Sequence, residues 1–187
     1  FDTLAEKDNP PGILAVVRQP NRKLEELNAA NFTWGVALVA PQDPGNIGSI
    51  LRCVDAVGAS GLLLLDDPDH HQYCADAYHP SSVRASMGAI TWLPVVKTSC
   101  AAFRVWAKEQ HYTLYGTSAH ASLDYRQVTS YQQPLILLMG SEREGLFPDQ
   151  AQACDVILRL PMLGRVTSLN LATATGVMLY HILERQA

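Results

Sequence analysis

The chain has 187 residues, 48% hydrophobic and 17% charged, which suits one domain with a large buried core and excludes a disordered chain. Its 14 basic and 18 acidic residues give a formal net charge of −4, which argues against a free-standing nucleic-acid binder, because such binding needs Lys and Arg to neutralise phosphates; a local basic patch stays open. No apolar run reaches the ~18 residues of a membrane span, we read no signal-peptide pattern, and Cys53, Cys74, Cys100 and Cys154 have no CxxC spacing, so buried thiols in a reducing cytoplasm are expected.

Residues 1–33 read as an arm, with a Pro-rich turn at 9–12, a short apolar strand at 13–17 and a mixed-charge segment around 22–26. The first residue is Phe1 rather than Met, so we expect a fragment of a longer chain. From there strand-length apolar runs fall at 35–40, 61–65, 91–96, 112–115, 135–139 and 156–160. Helix-like segments fall at 46–57, 81–86, 99–109 and 148–153, and a last helix at 169–185. Strands apolar on both faces that alternate with helices predict an α/β fold, a mostly parallel sheet flanked by helices. Ligands on such sheets sit beyond the carboxyl ends of the strands. Three elaborate loops fall there: PQDPGNIGS, MGSEREGL and LPMLGRVTSLN.

In the first loop Asn46 is a candidate N-cap, and Ile47, Ile50, Leu51, Val54 and Val57 share one helical face. Asn46, Ser49 and Arg52 step along another side, so Arg52 is either a plain surface arginine or a guanidinium aimed at a ligand. Neither GxGxxG nor GxxxxGK[ST] is present. In the second loop Gly140 directly follows a strand, where a side chain would block close approach to the backbone. Glu142 is either a solvated carboxylate or an acid that orients Arg52 or another cation; no His or Asp neighbours it at metal-ligand spacing.

The third loop leads through Ser168, a candidate cap, and Asn170 into a helix with no charge before His181. That helix is apolar all round, which predicts burial on all sides. A homodimer packed through it is the simplest cover, and the N-terminal arm is the alternative. A separate cluster, Asp66, Asp67, Asp69, His70 and His71, reads as an exposed loop after a strand. With Glu142 and Glu144 it also supplies a rival reading, a metal-dependent hydrolase.

Together, DPGNIGSILRCVDAVGA (residues 43–59), SVRASMGAI (82–90), LMGSEREGL (138–146) and LPMLGRVTSLNLATA (160–174) resemble the SpoU/TrmH branch of the SPOUT class of RNA methyltransferases. The resemblance spans residues 11–184, and NPPGILAVV looks like the linker that follows a small N-terminal RNA-binding domain in many members. It implies a catalytic domain over 34–187 and a linker over 1–33 left from a missing RNA-binding domain. It also implies a C-terminal deep trefoil knot that binds S-adenosyl-L-methionine in a bent form. The reaction would be methylation of a ribose 2′-hydroxyl of rRNA or tRNA in the cytoplasm, without a metal. A homodimer would bring one subunit's cofactor near the other's first motif.

By motif position, Arg52, Asn46, Glu142, Ser168 and Asn170 would be catalytic-site residues. Gly140, Leu160, Met162 and Leu169 would contact the cofactor, largely through backbone groups, with Thr117 beside them. Leu160 stands where the family often has Ile, a change that keeps a backbone contact. In this reading Glu142 and Asn46 would hold the Arg52 side chain, which would bind an RNA phosphate and stabilise charge on the 2′-oxygen. The alternative is a non-catalytic module that binds S-adenosyl-L-methionine and RNA.

Overall fold

LLLLD and LILLM have no polar residue to turn toward water before their last positions, so they form strands only where both sheet faces are covered. In the computed structural model of the chain, which describes residues 15–186, they are two of seven strands. The strands are β1 (Trp34–Val39), β2 (Leu62–Asp66), β3 (Val95–Ser99), β4 (Thr113–Thr117), β5 (Leu123–Asp124), β6 (Leu135–Met139) and β7 (Val156–Arg159). The helices are α1 (Pro44–Ala56), α2 (Pro80–Ala85), α3 (Cys100–Glu109), α4 (Pro148–Gln152) and α5 (Leu171–Glu184). Every strand pair is parallel, in the order β3-β2-β1-β6-β4-β7-β5, so all carboxyl ends share one edge.

Two cores cover the sheet. On one face Ile47, Ile50, Leu51 and Val54 of α1 meet Met178, Leu179 and Ile182 of α5. On the other, Phe103 and Trp106 of α3 meet Leu24, Leu27 and Phe32. The segment expected to be an arm therefore contributes to the core: the Trp106 indole N–H donates to the Leu27 carbonyl at 3.0 Å, and the Tyr112 hydroxyl donates to the Phe32 carbonyl. The expected turn at residues 9–12 and the start of the expected strand at 13–17 lie outside the described residues. Residues 15–17 are exposed and belong to no strand.

Three local expectations are corrected. The run at 91–96 starts a strand only at Val95; Gly88, at φ 96°, turns the chain into a short 3-10 segment, Ala89–Thr91, that buries Ile90 from the side. The cap of α1 is Asp43, not Asn46: its carboxylate accepts from the Gly45 N–H at 2.7 Å, and Pro44 takes the first helical position, where no amide donor is needed. The cap of α5 is Asn170, not Ser168, through bonds from the Ala172 and Thr173 amides at 2.9 and 3.2 Å. The stretch SVRASMGAI acquires a packing role. A Cβ at Gly48 would strike the Ser82 carbonyl and the Ala85 methyl, so glycine lets α1 and α2 approach at backbone distance.

α5 is not buried on all sides. Leu171, Thr175, Met178, Leu179 and Ile182 face α1, whereas Val177, Tyr180 and Leu183 are bare. The described part of the arm lies against α3 and β3 and does not cover this stripe.

His181, also on α5, is buried with its Nδ1 2.9 Å from the Tyr131 hydroxyl and its ring edge-on to Tyr125. Burial, helped by Arg185, depresses its pKa below 6.5, and the opposing pull of Glu184 and Asp124 is smaller. The unfolded chain therefore takes up the proton first. Stability is full above pH 6.5 and falls as pH drops below it toward the depressed folded value. Urea midpoints measured between pH 8 and pH 5 should fall in the native chain, and His181→Gln should flatten that part of the slope.

Candidate active site

The strand order reverses between β1 and β6. The chain leaves β1 toward α1 on one face and leaves β6 toward α4 on the other, which opens a crevice at the carboxyl edge. Ala40 makes the first turn in a left-handed conformation, φ 42°, and the Gln42 side chain ties that turn to the Ala40 and Tyr73 carbonyls at 2.9 and 2.7 Å. Across the crevice the second loop closes on itself, with Ser141 and Gly145 exchanging both backbone hydrogen bonds at 3.0 Å. Gly145 takes φ 69°.

Gly140 is needed for a reason other than a ligand. A Cβ there would collide with the backbone of Gly145 and Leu146, so it is the chain's own returning loop that approaches it.

Three of the sequence-predicted site residues form one hydrogen-bonded line. The Asn170 amide donates to Asn46 Oδ1 at 2.9 Å, and the Asn46 amide donates to Glu142 Oε1 at 3.2 Å. Glu142 Oε2 accepts from the Gln42 backbone N–H at 3.3 Å. Asn46 is buried, 7% exposed, so this line fixes which way its amide faces. Residues 96 and 124 positions away thus meet on the first turn of α1.

Arg52 does not join them. It is exposed and makes no hydrogen bond or ion pair with any described residue. The expectation that Glu142 and Asn46 hold its side chain is therefore corrected. Six residues beyond Asn46, Arg52 lies about 9 Å further along the helix and roughly 240° around it.

Beside this line lies a cleft of about 400 Å³. The predicted cofactor residues Thr117, Gly140, Leu160, Met162 and Leu169 all line it, as do Glu142 and Ser168. Ser118 and Met139 also line it and were not anticipated; the only signal was their place at the carboxyl ends of β4 and β6. Leu160, Met162 and Leu169 give it apolar walls, while the Ser118 and Ser168 hydroxyls and the Glu142 and Glu144 carboxylates supply polar groups. The cleft has the size and mixed lining of a small-molecule site. A second, more open groove is lined by Asn46, Ser49 and Cys53 of α1, and by Asn170, Val177 and Tyr180.

The rival metal site does not assemble around Glu142. The His70 Nδ1–H donates to Asp67 Oδ2 at 2.7 Å, and Asp67 also accepts from the Gln150 amide. Among the described residues no three His, Cys, Asp or Glu side chains converge on one ion. Burial pushes the Cys100 and Cys154 thiols up to about 12, which keeps them protonated and unreactive.

Asn170 both caps α5 and holds Asn46, which allows the two roles to be separated. Asn170→Ala should lower stability by about 1 kcal/mol through loss of the cap. Asn170→Asp keeps an acceptor for the cap and loses the donor to the buried Asn46, so the stability it loses should report the Asn46 bond and not the cap. Equal melting temperatures for all three proteins would remove the cap as a contributor.

Comparisons with known proteins agree with this layout. The sequence pattern of the SpoU rRNA Methylase family matches residues 34–180. The chain is 35% identical over 190 residues to the 23S rRNA (uridine(2479)-2′-O)-methyltransferase of Streptomyces viridochromogenes, an alignment covering 98% of this chain and 64% of that protein. It is 28% identical over 182 residues to the 23S rRNA (guanosine(2553)-2′-O)-methyltransferase RlmP of Bacillus subtilis (strain 168), covering 97% and 68%. A crystal structure of an AdoMet-bound rRNA methyltransferase from Sinorhizobium meliloti matches with a TM-score of 0.81 at 34% identity, over 89% of this chain and 61% of that one. The chain thus spans under two thirds of the length of the first and last of these proteins.

Proposed function

This chain belongs to the SpoU rRNA Methylase family, and we propose that it is an S-adenosyl-L-methionine-dependent methyltransferase acting on a ribose 2′-hydroxyl of rRNA or tRNA. The observation that carries the proposal is the Asn170–Asn46–Glu142 line at the rim of the 400 Å³ cleft. Four loops, after β1, β4, β6 and β7, build these two features. Residues 34–187, together with the packed segment 24–33, carry the reaction in this reading.

The cleft suits the cofactor on its own chemistry. Leu160, Met162 and Leu169 offer apolar surface to a purine, and Glu142 and Glu144 offer carboxylates to positively charged groups. When bound, S-adenosyl-L-methionine supplies a methyl group on a sulfonium, so the leaving group departs neutral.

What remains for the protein is alignment and handling of the hydroxyl proton. Asn46, held by Asn170 and Glu142, presents a fixed amide at the crevice. A guanidinium is a hydrogen-bond donor and not a proton acceptor in proteins, so Arg52 serves as an electrostatic group rather than a base. It binds an RNA phosphate and stabilises charge developing on the 2′-oxygen. The proton leaves to a phosphate oxygen or to water.

Arg52 stands on the outer surface of α1, beyond the Asn46 line, which supports a homodimer in which it serves the partner's cleft. The bare Val177, Tyr180 and Leu183 stripe supports packing through α5. The knotted arrangement belongs to the same proposal. β7 lies far out in the sheet beside β5, yet the segment that follows it returns past the loops after β4 and β6 to bring α5 back onto α1. Reaction on cellular RNA locates the enzyme in the cytoplasm; no helix among the described residues is long and apolar enough to cross a membrane.

Mapping 2′-O-methylation in RNA from a strain lacking the full-length protein, with and without the gene restored, tests the activity and identifies the nucleotide. One methylated position should vanish and return. If the purified protein binds S-adenosyl-L-methionine and no position changes, the non-catalytic module is the correct reading. A chelator should leave the activity unchanged.

A further inference from the structure

The Asp66–His71 cluster takes no part in the site described above. Its side chains nevertheless form a closed circuit that ends on the second loop. The His70 Nδ1–H donates to Asp67 Oδ2 at 2.7 Å. The same oxygen accepts from Gln150 Nε2. Gln150 Oε1 in turn accepts from the Phe147 backbone N–H at 2.9 Å. The Phe147 ring closes the circuit by lying flat on the His70 imidazole, centroids 3.8 Å apart and planes within 6°.

Asp67 and Gln150, each 3% exposed, are the buried members. A buried carboxylate and amide left unpaired would be costly, so each member holds the next in place. On its other side His70 Nε2 lies 3.8 Å from Asp149, which accepts from Arg104 of α3 at 3.1 Å.

The circuit joins the loop after β2 to the loop after β6, across the end of β1. Phe147 directly follows Leu146, which lines the cleft, and Gly145, which completes the paired turn with Ser141. α4 is only five residues long, too short to fix its own entry without such a brace. The sequence marks none of this, because the four members are spread over 84 residues, from Asp67 to Gln150.

We propose that Asp67, His70, Phe147 and Gln150 are positioning residues that anchor the cofactor-side loop, residues 140–147, and so set the affinity of the cleft for S-adenosyl-L-methionine. The affinity part rests on the function proposed above; the anchoring part does not.

Two substitutions test it in the intact chain. His70→Ala removes both the stack and the hydrogen bond, and His70→Phe keeps a ring on Phe147. Hydrogen exchange is read in the ligand-free protein at the Ser141, Glu144 and Gly145 amides, with the β1 amides as internal reference. Calorimetric titration reads S-adenosyl-L-methionine binding. His70→Ala should speed loop exchange about tenfold with the β1 amides unchanged, and weaken the cofactor Kd by about fivefold to tenfold. His70→Phe should recover much of both. Native loop exchange in His70→Ala overturns the anchoring. Faster loop exchange with a native Kd overturns the coupling to the cleft. A native chain that fails to bind the cofactor overturns the function proposed above and the affinity part with it, and the exchange result still decides the anchoring.

Discussion

Replacing Arg52 with alanine should lower kcat/KM for methyl transfer by about 10²–10³-fold, the usual loss when one charge-stabilising donor is removed. Cofactor affinity and melting temperature should stay native, because the side chain is exposed and bonded to no described residue. The loss should fall mainly on kcat. A rise in KM with kcat unchanged would mean that Arg52 only docks RNA. Arg52→Lys keeps the charge and loses the planar fork, so it should recover little; near-native activity would end the bidentate role.

The position of Arg52 makes a stricter test possible. If it serves the partner's cleft, Arg52→Ala chains mixed with chains defective in cofactor binding should regain activity. In a random mixture half of the twofold dimers are mixed, and each contains one intact site, so about a quarter of native activity should return. No recovery after verified subunit exchange would place Arg52 and the cleft it serves on the same chain.

Gly140→Ala should supply that cofactor-defective partner, and it carries the second large expected effect. The added methyl would overlap the backbone of Gly145 and Leu146, so the paired turn must move as a unit. Overpacking of this kind costs about 1–3 kcal/mol. A displacement of about 1 Å at a binding site can cost roughly 10²-fold in function. Cofactor binding should therefore become too weak to measure by calorimetry while circular dichroism keeps the native fold. Native affinity in this variant would mean that the turn can shift without disturbing the cleft. The matching change in the neighbouring turn, Gly145→Ala, strains a residue at φ 69° but meets no atom within 4 Å, so it should be milder.

The sheet was legible because its residues leave few choices. Runs such as LLLL and LILLM cannot face water on either side, so parallel strands covered by helices follow from composition and length alone. The core face of α1 was legible for the same kind of reason, since Ile47, Ile50, Leu51 and Val54 recur at the helical period. The loops were recognisable as sites because glycine, asparagine and charge were placed after strands on one edge. The true cap of α1 was legible too: Asp43 before Pro44 is a helix-start signature, and it competes with Asn46 for that role.

What the sequence by itself determined was therefore local: which segments become strands and helices, which helix faces are apolar, and which loops carry unusual chemistry. Periodicity reports only how a residue sits relative to its neighbours in the chain. Partners 83, 96 or 124 residues apart are brought together only when the sheet order is set. The tertiary structure alone decided that Glu142 turns to Asn46 and not to Arg52, that Gly140 admits the chain's own loop, and that α5 buries one face and leaves another bare. It alone joined Asp67 and His70 to Phe147 and Gln150. The physical reason is that hydrogen bonds and steric contacts act over a few ångströms, and which groups come that close is fixed by the packing of whole elements.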